Sequence, residues 1–304
     1  GIDLAGQHVL VLGSGGTSLT ARAAAADLGA ARITVVSRRG PVDYTNVYDL
    51  QDAGAVINTT PLGMFPNNGT SPLDLARFPR LTGVVDVVYN PLRTALLLQA
   101  EALGIPHTNG LDMLVAQAKL AGELFTGGTV SDGKLDAVCR EMTAQVTNII
   151  LIGMPGSGKS TVGRAVAKAL GRTFYDADAA IEERAGRSIP EIFAEEGEAA
   201  FRALEHQVLS DLGRRNGVVI ATGGGAVCFD RNLPPLWENG RVYCLQRPVD
   251  TLPTAGRPLS TSRQRLVEME RERAPFYRRA AQVMVDNSGP LKRTVAAILE
   301  DFGR

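Results

Sequence analysis

The stretch NIILIGMPGSGKSTVGRAVAKAL, residues 148–170, decides the fold. Residues 148–152 are an apolar run of strand length. Gly153, Met154, Pro155, Gly156, Ser157 and Gly158 form a loop, and Lys159, Ser160 and Thr161 open a helix running to about Leu170. Buried strand, glycine loop and helix in that order predict a parallel βαβ unit. The spacing Gly-x4-Gly-Lys-Ser is the phosphate-cradling pattern. Glycines let successive backbone N–H groups point into one anion-sized hollow, and the helix N-terminus adds a positive partial charge. Lys159 is expected to reach the β- and γ-phosphates of ATP, and the Ser160 hydroxyl to ligate Mg²⁺. A purely structural glycine turn would not require the Lys-Ser pair at the helix start.

A second unit of this kind lies upstream. Residues 8–12 (HVLVL) read as a buried strand, Gly13, Ser14, Gly15, Gly16, Thr17 and Ser18 as a variant of GxGxxG, and residues up to Leu28 as an Ala-rich helix. The strand at 33–37 then ends in Ser37, Arg38 and Arg39. An acid there would favour the ribose of NAD, whereas arginines favour the 2′-phosphate of NADP; two solvated arginines after a strand are the other reading. The two units do not align in detail, so they are not a repeat. Strands are expected at 55–58, 84–89, 218–225 and 241–245, and helices at 96–103, 111–124 and 134–145. The class is α/β twice over. Two three-layer domains with parallel sheets are expected, Rossmann-like at 1–127 and of the P-loop nucleoside-monophosphate-kinase type at 147–304, with a linker and helix at 128–146.

Composition sets the outer limits. The 304 residues carry 32 Lys+Arg and 32 Asp+Glu, a formal net charge of zero. A nucleic-acid binder would show a basic excess. The zero divides unevenly: residues 1–146 hold 10 basic and 13 acidic side chains, net −3, and residues 147–304 hold 22 and 19, net +3. Gly, at 33 residues, is in excess of the usual ~7% and implies close backbone approach to ligands. No apolar run reaches the ~18 residues of a membrane span, so no membrane partner is expected. Cys139, Cys228 and Cys244 are widely spaced and odd in number, which points to a reduced, cytoplasmic compartment. His8, His107 and His206 show no ligand spacing. The acidic residues around 195–198 read as a solvated helix end.

Four further segments bear on the second half: FYDADAAIEERAGRSIPEIFAEEGEAAFRALEHQVL (174–209), ATGGGAV (221–227), GRPLS (256–260) and RERAPFY (271–277). With the phosphate loop they resemble shikimate kinase over about 155 residues. The resemblance implies transfer of the ATP γ-phosphoryl group to the 3-hydroxyl of shikimate, in aromatic amino acid biosynthesis. It places Asp176 at the Mg²⁺ and Asp178 at the substrate hydroxyls, although two acids at this spacing after a strand also suit a helix cap. Arg202 and Arg273 would bind the substrate carboxylate, for which guanidinium forks are suited. Gly223, Gly224 and Gly225 would bring backbone amides to the substrate ring, and Arg257 would close over the phosphates as a lid arginine. One departure stands out. Many members carry another arginine before the lid, stacked on adenine, but residues 251–255 read TLPTA, so apolar packing is expected to hold the base. The oligomeric state is left open, a monomeric kinase half being one option.

In the first half, INTTPLGM (57–64), VVDVVYNPLRTALLLQAEALG (84–104) and NGLDMLVAQA (109–118) resemble the cofactor domain of shikimate dehydrogenase over about residues 1–127. That resemblance implies NADP(H) on the loop from Gly13 to Thr17 and on Ser37, Arg38 and Arg39. It puts Asn58, Thr59, Thr60 and Gly110 beside the nicotinamide, and Tyr89 and Gln117 towards the substrate. Such dehydrogenases also have a preceding substrate domain that supplies a catalytic lysine and aspartate. No lysine precedes Lys119, and the chain starts at Gly1. The expectation is an incomplete dehydrogenase module, inactive alone, from either a bifunctional protein trimmed at its N-terminus or a natural remnant. The alternative is a non-catalytic NADP(H)-binding or interaction module.

Overall fold

The computed structural model describes residues 1–252 and 263–303. The chain divides into two compact units, Gly1–Thr143 and Ala144–Arg304.

The first unit runs β1 (His8–Leu12), α1 (Gly16–Asp27), β2 (Arg32–Val36), β3 (Ala55–Asn58), β4 (Gly83–Asp86), α2 (Ala95–Ala102), β5 (His107–Thr108) and α3 (Leu111–Thr126); α4 (Asp132–Val146) follows. The sheet order is β2-β1-β3-β4-β5, all parallel. β1 has neighbours on both sides and both faces covered, and all five of its residues are buried. That is the reason its sequence is continuously apolar rather than alternating. Its one polar residue, His8, has Nε2 2.9 Å from Thr34 Oγ1, while Nδ1 lies 3.1 Å from Asp52 Oδ2 without hydrogen-bond geometry. Because β2 and β3 flank β1 on opposite sides, the loop after β1 sits where the sheet's winding reverses, the usual place for a ligand.

The strand expected at 84–89 ends at Asp86. Asp86 is fully buried and turns the chain around its carboxylate. Its Oδ1 accepts from Asn58 Nδ2 at 3.0 Å and from Val88 N at 3.1 Å, while Oδ2 accepts from Thr94 Oγ1 at 2.6 Å. Thr94 also caps α2 by accepting from Leu97 N. A backbone wrapped around a side chain cannot continue a ladder.

The second unit runs β6 (Asn148–Ile152), α5 (Lys159–Leu170), β7 (Phe174–Asp176), α6 (Ala177–Ala185), α7 (Ile189–Glu195), α8 (Gly197–Gly213), β8 (Val219–Ala221), α9 (Leu233–Trp237), β9 (Gly240–Gln246), α10 (Arg263–Ala280), β10 (Val283–Asp286) and α11 (Leu291–Phe302). The parallel sheet has the order β10-β9-β6-β8-β7. β6 is central, and Ile149, Ile150, Leu151 and Ile152 are wholly excluded from solvent. Each such side chain contributes about 1.5–3 kcal/mol by leaving water. α7 starts on a reciprocal cap in which Ser188 and Glu191 each satisfy the other's backbone N–H. The strand expected at 218–225 stops at Ala221, where the glycines begin. No described helix is long and apolar enough to cross a membrane.

Candidate active site

Every loop at the carboxyl end of β6, β7, β8 and β9 faces one cleft. Its volume is about 1030 Å³, and its walls include Gly156, Gly158, Lys159, Ser160, Asp176, Asp178, Arg202, Gly223, Gly224, Gly225 and Arg273. Loops after the parallel strands, with α8 and α10, bring these residues to the same edge of the sheet, although they are up to 117 residues apart in sequence. Arg257, expected as the lid arginine, lies outside the described residues.

At one end lies the phosphate loop. Lys159 opens α5 and is buried; its Nζ donates to Gly153 O at 2.9 Å and to Met154 O at 3.1 Å. The ammonium therefore lies over the loop that its own backbone encloses. Ser160 Oγ donates to Asp176 Oδ2 at 2.6 Å. Asp176 Oδ1 accepts from Asp178 N at 3.2 Å and so caps α6. The helix-cap reading of Asp176 is thus realised on Oδ1, while Oδ2 faces Ser160. Hydroxyl and carboxylate oxygens are the hard donors Mg²⁺ takes. Among the described residues no cluster of three His, Cys, Asp or Glu gathers, so protein ligation of such an ion would rest on Ser160 and Asp176.

At the other end guanidinium and carboxylate groups interlock. Arg202 and Glu205 project from α8, which places residues three and four apart on one face. Arg202 Nη1 donates to Glu205 Oε2 at 3.0 Å, and Nε and Nη2 donate to Glu198 Oε1 at 3.2 and 3.0 Å. Its guanidinium carbon also lies 4.7 Å from the centre of the Phe229 ring. Burial pushes the Glu205 carboxyl above the usual carboxylate range, and the Arg202 charge pulls it part of the way back. The glycine segment packs against these groups without room for side chains. A Cβ on Gly223 would come within 2.8 Å of Asp178 Oδ1 and 3.3 Å of Glu205 Oε1, and one on Gly225 within 3.3 Å of the Arg202 guanidinium. Asp178, Arg202 and the three glycines are thus one compact group.

Sequence reasoning did not find several of these residues. Glu205 and Glu198 hold Arg202, and helical spacing from Arg202 was the signal that could have found them. Glu198, read as part of a solvated helix end, is exposed and also ion-paired. Asn287, just past β10, donates from Nδ2 to Ser157 O at 2.6 Å and accepts from Thr294 Oγ1 at 2.8 Å, anchoring the phosphate loop from outside. Arg247 follows β9 and opens onto the same cleft. Ile189, Pro190, Phe193 and Phe201 give the cleft an apolar wall.

In the first unit the expected residues gather at the ends of β1, β3 and β4. Gly13 has φ +105°, and a Cβ there would meet Thr59 Oγ1 at 2.8 Å. Thr59 Oγ1 donates to Leu12 O at 2.6 Å, and Asn58 Oδ1 accepts from the Thr60 amide and hydroxyl at 3.0 and 2.7 Å. Gly15 precedes α1, and Gly16 and Thr17 form its first residues. Ser14, Arg38 and Arg39 are exposed and Ser37 is half-buried. A hollow of about 310 Å³ is lined by Thr59, Thr60, Met64, Phe65, Val87 and Tyr89, among others. Gly110 lies against Val87 O, where a Cβ would intrude to 1.9 Å. Gln117, exposed on α3, is not part of that lining.

Comparison with known proteins follows the same division. A shikimate kinase family model matches residues 155–302. Shikimate kinase of Halorhodospira halophila is 48% identical over 158 residues, which are 49% of this chain and 89% of that protein. Among solved structures, shikimate kinase from Acinetobacter baumannii in complex with shikimate is 38% identical and covers 53% of this chain and 95% of its own, with a TM-score of 0.49. A chorismate mutase/shikimate 5-dehydrogenase fusion protein from Clostridium acetobutylicum is 29% identical over 46% of this chain, with a TM-score of 0.44. The match spans 56% of that structure's length. With a relative matched at 48% identity over nearly its whole length, the chain belongs to the shikimate kinase family.

Proposed function

We propose that residues 147–304 form an ATP:shikimate 3-phosphotransferase whose individual roles follow from the cleft. The observation that carries the reading is the polarity of this one cleft. Lys159, Ser160 and Asp176 lie at one end, and Asp178, Arg202, Gly223 to Gly225 and Arg273 at the other. The first end suits a polyphosphate and the second a polyhydroxylated carboxylate. Arg202 and Arg273 would fix the shikimate carboxylate, and Asp178 would orient the 3-hydroxyl and accept its proton as it attacks the γ-phosphorus in line. Lys159 stabilises charge spreading over the transferred group, and Arg257 adds to this from the lid expected by sequence. Ser160 and Asp176 would hold Mg²⁺, which neutralises phosphate charge when bound. An ADP-release assay with and without shikimate tests the reading: shikimate should stimulate release strongly, and shikimate-independent hydrolysis as the main activity would refute it.

For residues 1–143 we infer an NADP(H)-binding module of shikimate dehydrogenase type. Support comes from the cradle at Gly13, which a side chain would fill, and from Arg38 and Arg39 after β2, where a 2′-phosphate would lie. Gly13 to Thr17 would hold the pyrophosphate, and the hollow at Thr59, Thr60 and Tyr89 would take the nicotinamide side. NADP(H) would supply redox chemistry there, but no lysine precedes Lys119 to act as the family's catalytic base. Calorimetric titration of the full chain with NADP⁺ and NAD⁺ should show NADP⁺ binding more tightly. An NADP(H)-dependent shikimate oxidation rate comparable to the kinase rate would overturn the inference that the module is inactive alone.

A further inference from the structure

The glycine segment 223–225 and the Arg273 guanidinium must keep a fixed spacing if one small substrate is to touch both. A single hydroxyl ties the glycine segment to the helix that carries Arg273. Tyr277 lies on α10, one turn beyond Arg273, and is 5% exposed. Its hydroxyl donates to Gly224 O at 2.6 Å. Burial pushes the phenol's pKa up, and the Arg273 charge pulls it part of the way back. The hydroxyl also lies 3.8 Å from Met154 Sδ in the phosphate loop. Gly224 is held from its other side by Pro155, whose Cγ would sit 2.7 Å from a Cβ at that position. Gly224 is therefore fixed between Pro155 on one side and the Tyr277 hydroxyl on the other.

We propose that Tyr277 is a positioning residue for the acceptor substrate, its hydroxyl locking the Gly223 to Gly225 segment to the turn of α10 that carries Arg273. This deepens, and rests on, the reading of the cleft as a shikimate site. The hydroxyl touches neither end of the substrate, and its effect reaches the substrate through Arg273 and the glycine amides. Tyr277→Phe keeps the ring in its buried seat and deletes the bond to Gly224. A buried carbonyl left without its donor corresponds to about tenfold in affinity.

The test is calorimetric titration of the full chain with shikimate, for wild type, Tyr277→Phe, Arg273→Lys and the double variant, with ATP titrated in parallel. Tyr277→Phe should weaken shikimate binding about tenfold and ATP binding less than twofold. In the Arg273→Lys background the same change should cost almost nothing further, because the partner it positions is already gone. Shikimate binding equal to wild type in Tyr277→Phe overturns the proposal. So do losses that multiply in the double variant, or an ATP affinity that falls in parallel, which would mark a general packing defect. A wild-type chain that binds ATP but not shikimate would instead refute the reading of the cleft, and this proposal with it.

Discussion

Two glycine loops at the ends of two central strands, Gly13 to Gly16 after β1 and Gly153 to Gly158 after β6, are built to different ends. The second is enclosed by its own cation: Lys159 donates back to the carbonyls of Gly153 and Met154, while Ser160 is bonded to a carboxylate from the neighbouring β7. The first is surrounded by neutral groups, namely the Thr59 hydroxyl, the Asn58 amide and the Thr60 hydroxyl. Its nearby buried charge, Asp86, is held by Asn58, Thr94 and a backbone amide. The same strand–loop–helix device thus encloses a cation in one unit and only neutral groups in the other. Phosphoryl transfer needs field at the loop, whereas holding a dinucleotide needs mainly shape and free N–H groups.

The strongest way to break the comparison is Lys159→Ala. It should lower shikimate-dependent ADP release by about 10²–10³-fold, as loss of a charge-stabilising donor does, and leave NADP⁺ titration unchanged. Next is Arg202→Ala, expected to raise the KM for shikimate about 10- to 100-fold with the KM for ATP little moved. It also leaves Glu205 buried without its cation, at a cost of roughly 3 kcal/mol near neutral pH. Glu205 already has a raised folded-state pKa, and loss of Arg202 raises it further. A raised carboxyl pKa favours the fold below its unfolded value, and that advantage disappears as pH rises through the folded value. The variant's Tm deficit should therefore be larger at pH 8 than at pH 5, as paired thermal melts would show.

Gly13→Ala tests the neutral loop. A Cβ at φ +105° facing Thr59 Oγ1 should weaken NADP⁺ binding by about tenfold through strain and displacement. ADP release should stay at the wild-type rate. The smallest effect is expected from Asp86→Asn. Burial raises the Asp86 pKa, with Thr94, Val88 and Asn58 bonding against it. The wild-type protein therefore loses stability as pH rises through the raised value, and an amide does not. The variant should gain on wild type by about 1 kcal/mol between pH 4.5 and 7.5, measured by chemical denaturation at the two pH values.

Most of the fold was legible because apolar strands and glycine loops are local signals. HVLVL and NIILI could be read as buried strands from composition alone, the phosphate loop from its spacing, and Asp176, Asp178, Arg202, Gly223 to Gly225 and Arg273 from the family resemblance. What escaped depended on contacts made at a distance. Asp86 ends β4 three residues early because Asn58 and Thr94, 28 and 8 residues away, converge on it. Asn287 lies 130 residues from the loop it anchors. Tyr277 closes the RERAPFY segment without any visible signal of its role, since a buried tyrosine's partner is a backbone carbonyl that leaves no mark in sequence. Glu205 was the exception, one helical turn from Arg202 and open to discovery by spacing.

β1 and β6 each have a strand paired on either side, over residues 9–12 and 149–151 respectively, and are buried throughout. Backbone amides in such strands exchange with solvent only through the largest openings of the surrounding fold, while edges and helix ends open first. Each ligand loop is therefore rooted in a part of its unit that relaxes last. On mild heating or brief proteolysis the outer helices should fray while the strand beneath each loop stays closed. Deuterium uptake, followed peptide by peptide, should accordingly be slowest at residues 8–12 and 148–152, so that damage reaches the binding loops late.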